Sequence, residues 1–246
     1  MRRFPFVLAA LAALAGCAGV DGPAPPAAPA AVPPSIQGTP ASPFIARGNE
    51  PGWRLDLDGD RMTLAMQDGT RRTVAPSPAA QRTDAFTRYA ARTDGADLTV
   101  TIFNRRCKDT MTGMHHPNAV EVVSAGRKLT GCGGDPATLL QGGEWIVADI
   151  AGKGLVERSR ATLNFGRDGR VYGHASCNNY TAQYTLTGEA LTVAKAGGTM
   201  MACDAGVMQQ ESLFLDVLRN VRGFDLREDG ALVLRAGDGR TIIARR

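Results

Sequence analysis

The sequence predicts a mainly β, α+β protein made of two small domains. Three observations predict it. After residue 43, apolar and polar residues alternate at period two through most of the chain, the mark of strands with one buried face. Asp-Gly pairs punctuate those runs where hairpin turns belong. A single stretch, between Asp204 and Gly223, changes to the period of an amphipathic helix.

Arg2 and Arg3 open the chain, and the apolar run Phe4 to Leu14 follows. A bilayer span needs about 20 apolar residues, so this run is too short for one and reads as a secretory signal peptide. It ends in Leu14-Ala15-Gly16-Cys17, which resembles the lipobox of bacterial lipoproteins at all four positions. The resemblance implies removal of residues 1–16 and a lipid on Cys17. Ala18, rather than Asp, follows that cysteine, and points to the periplasmic face of the outer membrane. Residues 17–43 are then the lipidated Cys and a tether of almost pure Ala, Pro, Gly and Ser. Nothing in that composition buries a core, and an extended chain of this kind reaches about 3 Å per residue.

The roughly 200 residues that remain suit one large or two small domains. Gly133-Gly134-Asp135-Pro136 favours two, over 44–135 and 141–246. In the first, Trp53, Leu55 and Leu57 alternate with polar residues, as do Met62, Leu64 and Met66, and Leu98, Val100 and Ile102. Asp58-Gly59, Asp68-Gly69 and Asp94-Gly95 are the turns between runs. In the second, strands are expected over 144–150, 161–165, 171–174, 180–186 and 190–193. Val207, Phe214, Val217, Leu218 and Val221 then share one helical face, with Asp204 as N-cap and Gly223 ending the helix. Strands resume over 224–226, 232–235 and 241–244, with turns at Asp229-Gly230 and Asp238-Gly239.

The second domain resembles the META family, which includes the heat-inducible HslJ protein. The resemblance rests on Trp145, on Ala161 to Phe165, and on Gly173 to Tyr180 with Cys177-Asn178 inside it. It continues through Tyr184, Thr199-Met200-Met201-Ala202-Cys203, Glu211 and Phe214. The family usually has Gly where Ser176 stands, so an unusual backbone angle is not expected there. The resemblance implies a cracked β-barrel wrapped against a helix, and an association with heat shock and envelope stress. It supplies no catalytic residue. The first domain resembles an uncharacterised domain of envelope proteins through Gly48 to Trp53, Cys107 to Gly113 and Leu129 to Gly133.

An exported chain meets an oxidising compartment, where cysteines pair. Lipidation uses Cys17 and leaves Cys107, Cys132, Cys177 and Cys203, which allow three connectivities. The domain break selects Cys107–Cys132 and Cys177–Cys203, one bond inside each unit.

Other chemistry is sparse. The net charge is +4 without any Lys/Arg run, which excludes the footprint of a nucleic-acid binder. His115-His116 match no zinc spacing and read as a surface turn within a disulfide loop. His174 precedes Cys177 by three residues, but oxidation with Cys203 claims that thiol. Gly152-Lys153-Gly154 is too short for a phosphate loop and reads as a hairpin tip. Asn178 and Asn179 are expected to brace a disulfide-tied loop. No nucleophile elbow, P-loop or dinucleotide fingerprint occurs, and neither cofactor nor metal is expected. The functional expectation is a non-enzymatic envelope lipoprotein, stress-protective or assembly-assisting, anchored to the membrane by its lipid and working on an envelope protein partner. The alternative is a carrier holding a small apolar ligand inside its barrel.

Overall fold

A computed structural model describes residues 43–92 and 97–246 of the chain. Cys17, the tether and the Asp94-Gly95 turn lie outside the described residues. The first sheet contains β1 (Phe44–Asn49), β2 (Gly52–Asp58), β3 (Arg61–Met66), β4 (Arg72–Pro76), β5 (Gln81–Arg82), β6 (Phe86–Arg92) and β7 (Asp97–Phe103). A small separate ribbon, β8 (Cys107–Lys108) with β9 (His115–His116), interrupts it, and β10 (Asn118–Ser124) and β11 (Arg127–Gly133) complete it. Its order is β4-β3-β2-β1-β11-β10-β7-β6-β5, antiparallel throughout.

Period two sets this sheet's faces. Trp53, Leu55 and Leu57 of β2 point inward beside Met62 and Leu64 of β3 and Leu98 and Val100 of β7, all buried. Trp53 lies across β1 and β11, and its indole N–H donates to the Thr130 carbonyl at 3.2 Å. That crossing needs glycine at two places. A Cβ at Gly48 would collide with the indole, and one at Gly131 with the Arg47 carbonyl.

After the short helix α1 (Ala137–Leu140) the chain builds a second sheet. Its strands are β12 (Trp145–Ile150), β13 (Thr162–Phe165), β14 (Arg170–His174), β15 (Asn179–Leu186) and β16 (Leu191–Val193), with β17 (Gly197–Gly198) pairing β15 from the side. The helix α2 (Ala205–Arg219) follows, then β18 (Val221–Leu226), β19 (Leu232–Ala236) and β20 (Thr241–Arg245). The order β16-β15-β14-β13-β12-β20-β19-β18 wraps round until its two ends lie side by side without a hydrogen-bonded ladder. The result is a nearly closed barrel with a seam. Phe214, Val217 and Leu218 of α2 are buried in one core with Leu163, Phe165, Tyr180 and Phe224 of the barrel.

Two expectations about α2 need correction. The helix stops at Arg219, not at Gly223, because Asn220 leaves helical geometry: its side-chain Nδ2 donates to the Asp216 carbonyl at 2.8 Å while its backbone N–H turns to the Val217 carbonyl at 3.1 Å. Val221, placed by its spacing on the helical face, instead pairs with Ala236 and starts β18; Gly223 sits inside that strand, opposite Arg235. A β-branched residue fits a pleated, half-buried surface better than a fraying helix end. Asp204 does occupy the N-cap position, but its side chain makes no capping bond.

Candidate functional site

The described residues with chemical potential fall into three places. The first is the segment between Arg105 and Pro117. Sγ of Cys107 and Sγ of Cys132 lie at bonding distance across 25 positions of sequence, which pins this segment to the outer face of β11. From there it reaches the second sheet at the barrel seam. Arg106 donates to the carbonyls of Leu226 and Arg227, both at 3.2 Å, so a guanidinium caps the open edge where β18 ends. Lys108 Nζ lies 3.3 Å from the Asp225 carboxylate, and Arg235 Nη1 lies 3.4 Å from it. Met114 is only 4% exposed and belongs to the barrel's core, not to the first sheet's.

His115 corrects the sequence reading. It is not in a surface turn but in β9, 8% exposed, hydrogen-bonded to Asp225 Oδ1 and set against the Phe224 ring at 6.1 Å between centroids. Successive residues of a strand point opposite ways, so His116 turns from the barrel, and its Nδ1 lies 3.2 Å from the Gly134 carbonyl. Desolvation by burial works to raise the Asp225 carboxyl, but hydrogen bonds from His115 and Lys108 overcome it and hold the group below the usual carboxylate range.

The second place is the exit of β14. Cys177 and Cys203 are at bonding distance, 26 positions apart. Glu211 of α2 accepts the Cys177 N–H at 3.0 Å and the Asn178 N–H at 2.6 Å on one oxygen, and the Asn178 amide at 2.9 Å on the other. The Asn178 side-chain oxygen Oδ1 accepts the Met201 N–H at 2.7 Å and the Thr199 hydroxyl at 2.8 Å. Asn178 therefore ties the segment before α2 to the helix itself. His174 Nδ1 lies 3.1 Å from the Asn178 carbonyl, within the same brace. Ser176 departs from expectation: its φ is +94°, the left-handed region where a Cβ costs free energy. It keeps a side chain because Ser176 Oγ accepts a 2.8 Å hydrogen bond from the buried Gln210 amide. Asn179 stands outside the brace, with its N–H donating to Thr199 Oγ1 at 3.2 Å.

The third place is a groove of about 690 Å³ between the sheets, bordered by Phe44, Ile45, Arg47, Met111, His116 and Leu186. Elsewhere, Gly152 and Gly154 donate to the Asp149 carboxylate at 2.8 and 2.9 Å, which makes 151–154 a self-braced turn. Among the described residues no group of three or more His, Cys, Asp or Glu side chains is arranged to hold a metal. No described helix is long and apolar enough to cross a membrane.

These features define a class: a β protein whose second unit is a seamed barrel with its helix packed into the core. One comparison bears on that unit. Residues 138–246 match the META domain family, so the C-terminal part of the chain is a META domain. The match starts at α1, whose Leu140 is fully buried in the barrel core and accepts the Trp145 indole N–H at 2.8 Å. Two solved structures are similar. One, described as the NMR structure of a protein from Burkholderia xenovorans, is 25% identical, covers 45% of this chain and 85% of its own, and has a TM-score of 0.38. The other, also an NMR structure, is 18% identical, covers 44% of this chain and 92% of its own, and has a TM-score of 0.38. No curated protein matches the chain.

Proposed function

We propose that the protein is a lipid-anchored envelope protein that acts by contact with another envelope protein, in a stress-protective or assembly role. The observation that carries this reading is the filled barrel. Phe214, Val217 and Leu218 occupy, with Tyr180 and Phe224, the space in which a barrel-type carrier would hold its ligand. The carrier reading is the weaker for it. The polar groups point the same way: Asn178, Glu211, His174 and His115 are each engaged in bracing backbone or joining the two sheets. Outward-facing methionines offer a contact surface, because Met200, Met201 and Met208 stand exposed around the start of α2. Thioether side chains are soft and adapt to a partner's shape.

The test is photo-crosslinking in intact cells, with a photoreactive residue placed at Met200, Met208 or, as a control face, Val74. A discrete adduct from the methionine positions and none from Val74 is expected. Adducts absent from all three positions would overturn the contact reading, as would turnover of a substrate by the purified protein.

A further inference from the structure

A shallow cleft of about 360 Å³ lies on the outer face of β13, β14 and β15, bordered by Glu144, Arg160, Tyr172, His174 and Asn179. Leu163, Val171 and Ala182 point into the barrel core, so period two turns their neighbours outward. Asn164, Tyr172 and Thr181 form one row across the three strands, and His174 with Asn179 begins the next. Tyr172 stands in the middle of this face and is 49% exposed. Beyond Thr181 the next ladder partner is Gly197, where a side chain would meet only open space, so the face is clear on that side.

The polar groups round the ring offer both donors and acceptors. His174 directs Nδ1 at the Asn178 carbonyl, which only accepts, so Nδ1 carries the proton and Nε2 keeps a lone pair. Asn179, paired with His174 across the ladder, is exposed, and its backbone N–H rather than its side chain makes the bond to Thr199. Glu144 and Arg160 close the other end of the cleft as an ion pair, and Asp168 and Arg170 pair likewise at the start of β14. Lys195, two positions before Gly197, is exposed and lies outside the cleft lining. These features exclude several ligand classes. A peptide cannot add here by main-chain pairing, because β14 already has a neighbour on each side. A lipid chain finds no apolar trough, and an anion finds no unpaired cation in the lining. What fits is a neutral ligand with an apolar C–H face to lie on an aromatic ring and hydroxyls round its rim.

We propose that this face is a saccharide-binding site. A pyranose ring stacks on Tyr172, the Asn179 amide and His174 Nε2 bond its hydroxyls, and the Glu144–Arg160 pair bonds those at the far end. The site goes beyond the contact reading and does not need it. The purified mature chain is titrated with hexamers of N-acetylglucosamine and, separately, of glucose, and backbone amide shifts are followed by NMR. At least one hexamer should move amides at 160–164, 172–174 and 179–181. Raising salt to about 0.5 M should change the affinity less than about twofold, because no net charge is engaged. Tyr172→Ala should weaken binding roughly tenfold or more, and Tyr172→Phe less than about threefold, since the ring rather than its hydroxyl is the platform. Asn179→Ala should weaken it roughly three- to tenfold. Both positions are exposed, so these variants keep the parent's fold. Pelleting with cell-wall glycan stripped of its peptides then identifies the source, and this arm alone rests on the envelope reading. Pelleting assigns the site to the wall; hexamer binding without pelleting assigns it to free saccharide. Failure of both hexamers to move those amides, or a Tyr172→Ala variant that binds as the parent does, would overturn the assignment.

Discussion

Met114 belongs by sequence to the first unit and by packing to the second, and Met114→Ala tests that placement. The side chain is 4% exposed and lies in the barrel core with Phe224 and Trp145. Truncating a buried methionine to alanine costs about 2–5 kcal/mol, depending on how far the site collapses. Met114 sits at the seam, beside the open groove lined by Gly113 and Arg222, so partial collapse is available and about 2–3 kcal/mol is expected. For a chain of this size each kcal/mol moves Tm by about 2–4 °C, which gives a drop of roughly 5–10 °C. Met111→Ala is the control: three residues away on the same segment, 77% exposed, and expected to change stability by less than about 0.5 kcal/mol. Differential scanning calorimetry of both variants and the parent decides the matter. Equal melting temperatures for the two variants would refute the placement of Met114 in the barrel core.

Three further outcomes follow from the brace and the interface. Ser176→Gly should exceed Ser176→Ala in stability by about 1 kcal/mol in urea titrations, because both lose the Gln210 hydrogen bond and only glycine relieves the φ of +94°; a more stable alanine variant would contradict the backbone assignment. Cys177→Ser with Cys203→Ser opens a link of 26 positions, which the chain-entropy relation puts at about 3.5 kcal/mol, and hydrogen exchange should rise first in the opening turn of α2 rather than uniformly. The Asp225 carboxyl is held below its ordinary value in the folded protein, so its contribution is present above about pH 4 and lost as pH falls through the folded pKa. The urea-midpoint gap between parent and Asp225→Asn should therefore be larger at pH 7 than at pH 3, and a constant gap would count against the ion pair.

The strands were legible where alternation ran long. Trp53 to Leu57 and Leu98 to Ile102 alternate because one face of each carries apolar side chains into the core; the sequence could not show that Thr101, on the other face, is buried as well. The Asp-Gly turns were legible because their glycines adopt positive φ, as Gly59, Gly69, Gly169, Gly230 and Gly239 do. The end of α2 misled because Val221 continues the helical spacing while its β-branched side chain joins a ladder instead. The site between the sheets left almost no local signal. The strands β8 and β9 are two residues each, too short for a period, and Met114 and His115 are buried by a sheet that begins thirty positions later in the chain. Ser176 misled for a different reason: serine at a glycine position argued for ordinary backbone, and only the tertiary bond to Gln210 offsets the strain.

That this chain is a tethered envelope protein is tested most directly by the intact mass of the species extracted from native membranes. The expected mass corresponds to a chain beginning at Cys17, carrying a diacylglyceryl group on that sulfur. Fragmentation should place the lipid on the first residue, and Cys17→Ser should abolish it. A membrane-extracted chain that retains residues 1–16, or one cleaved there without lipid, would contradict the reading.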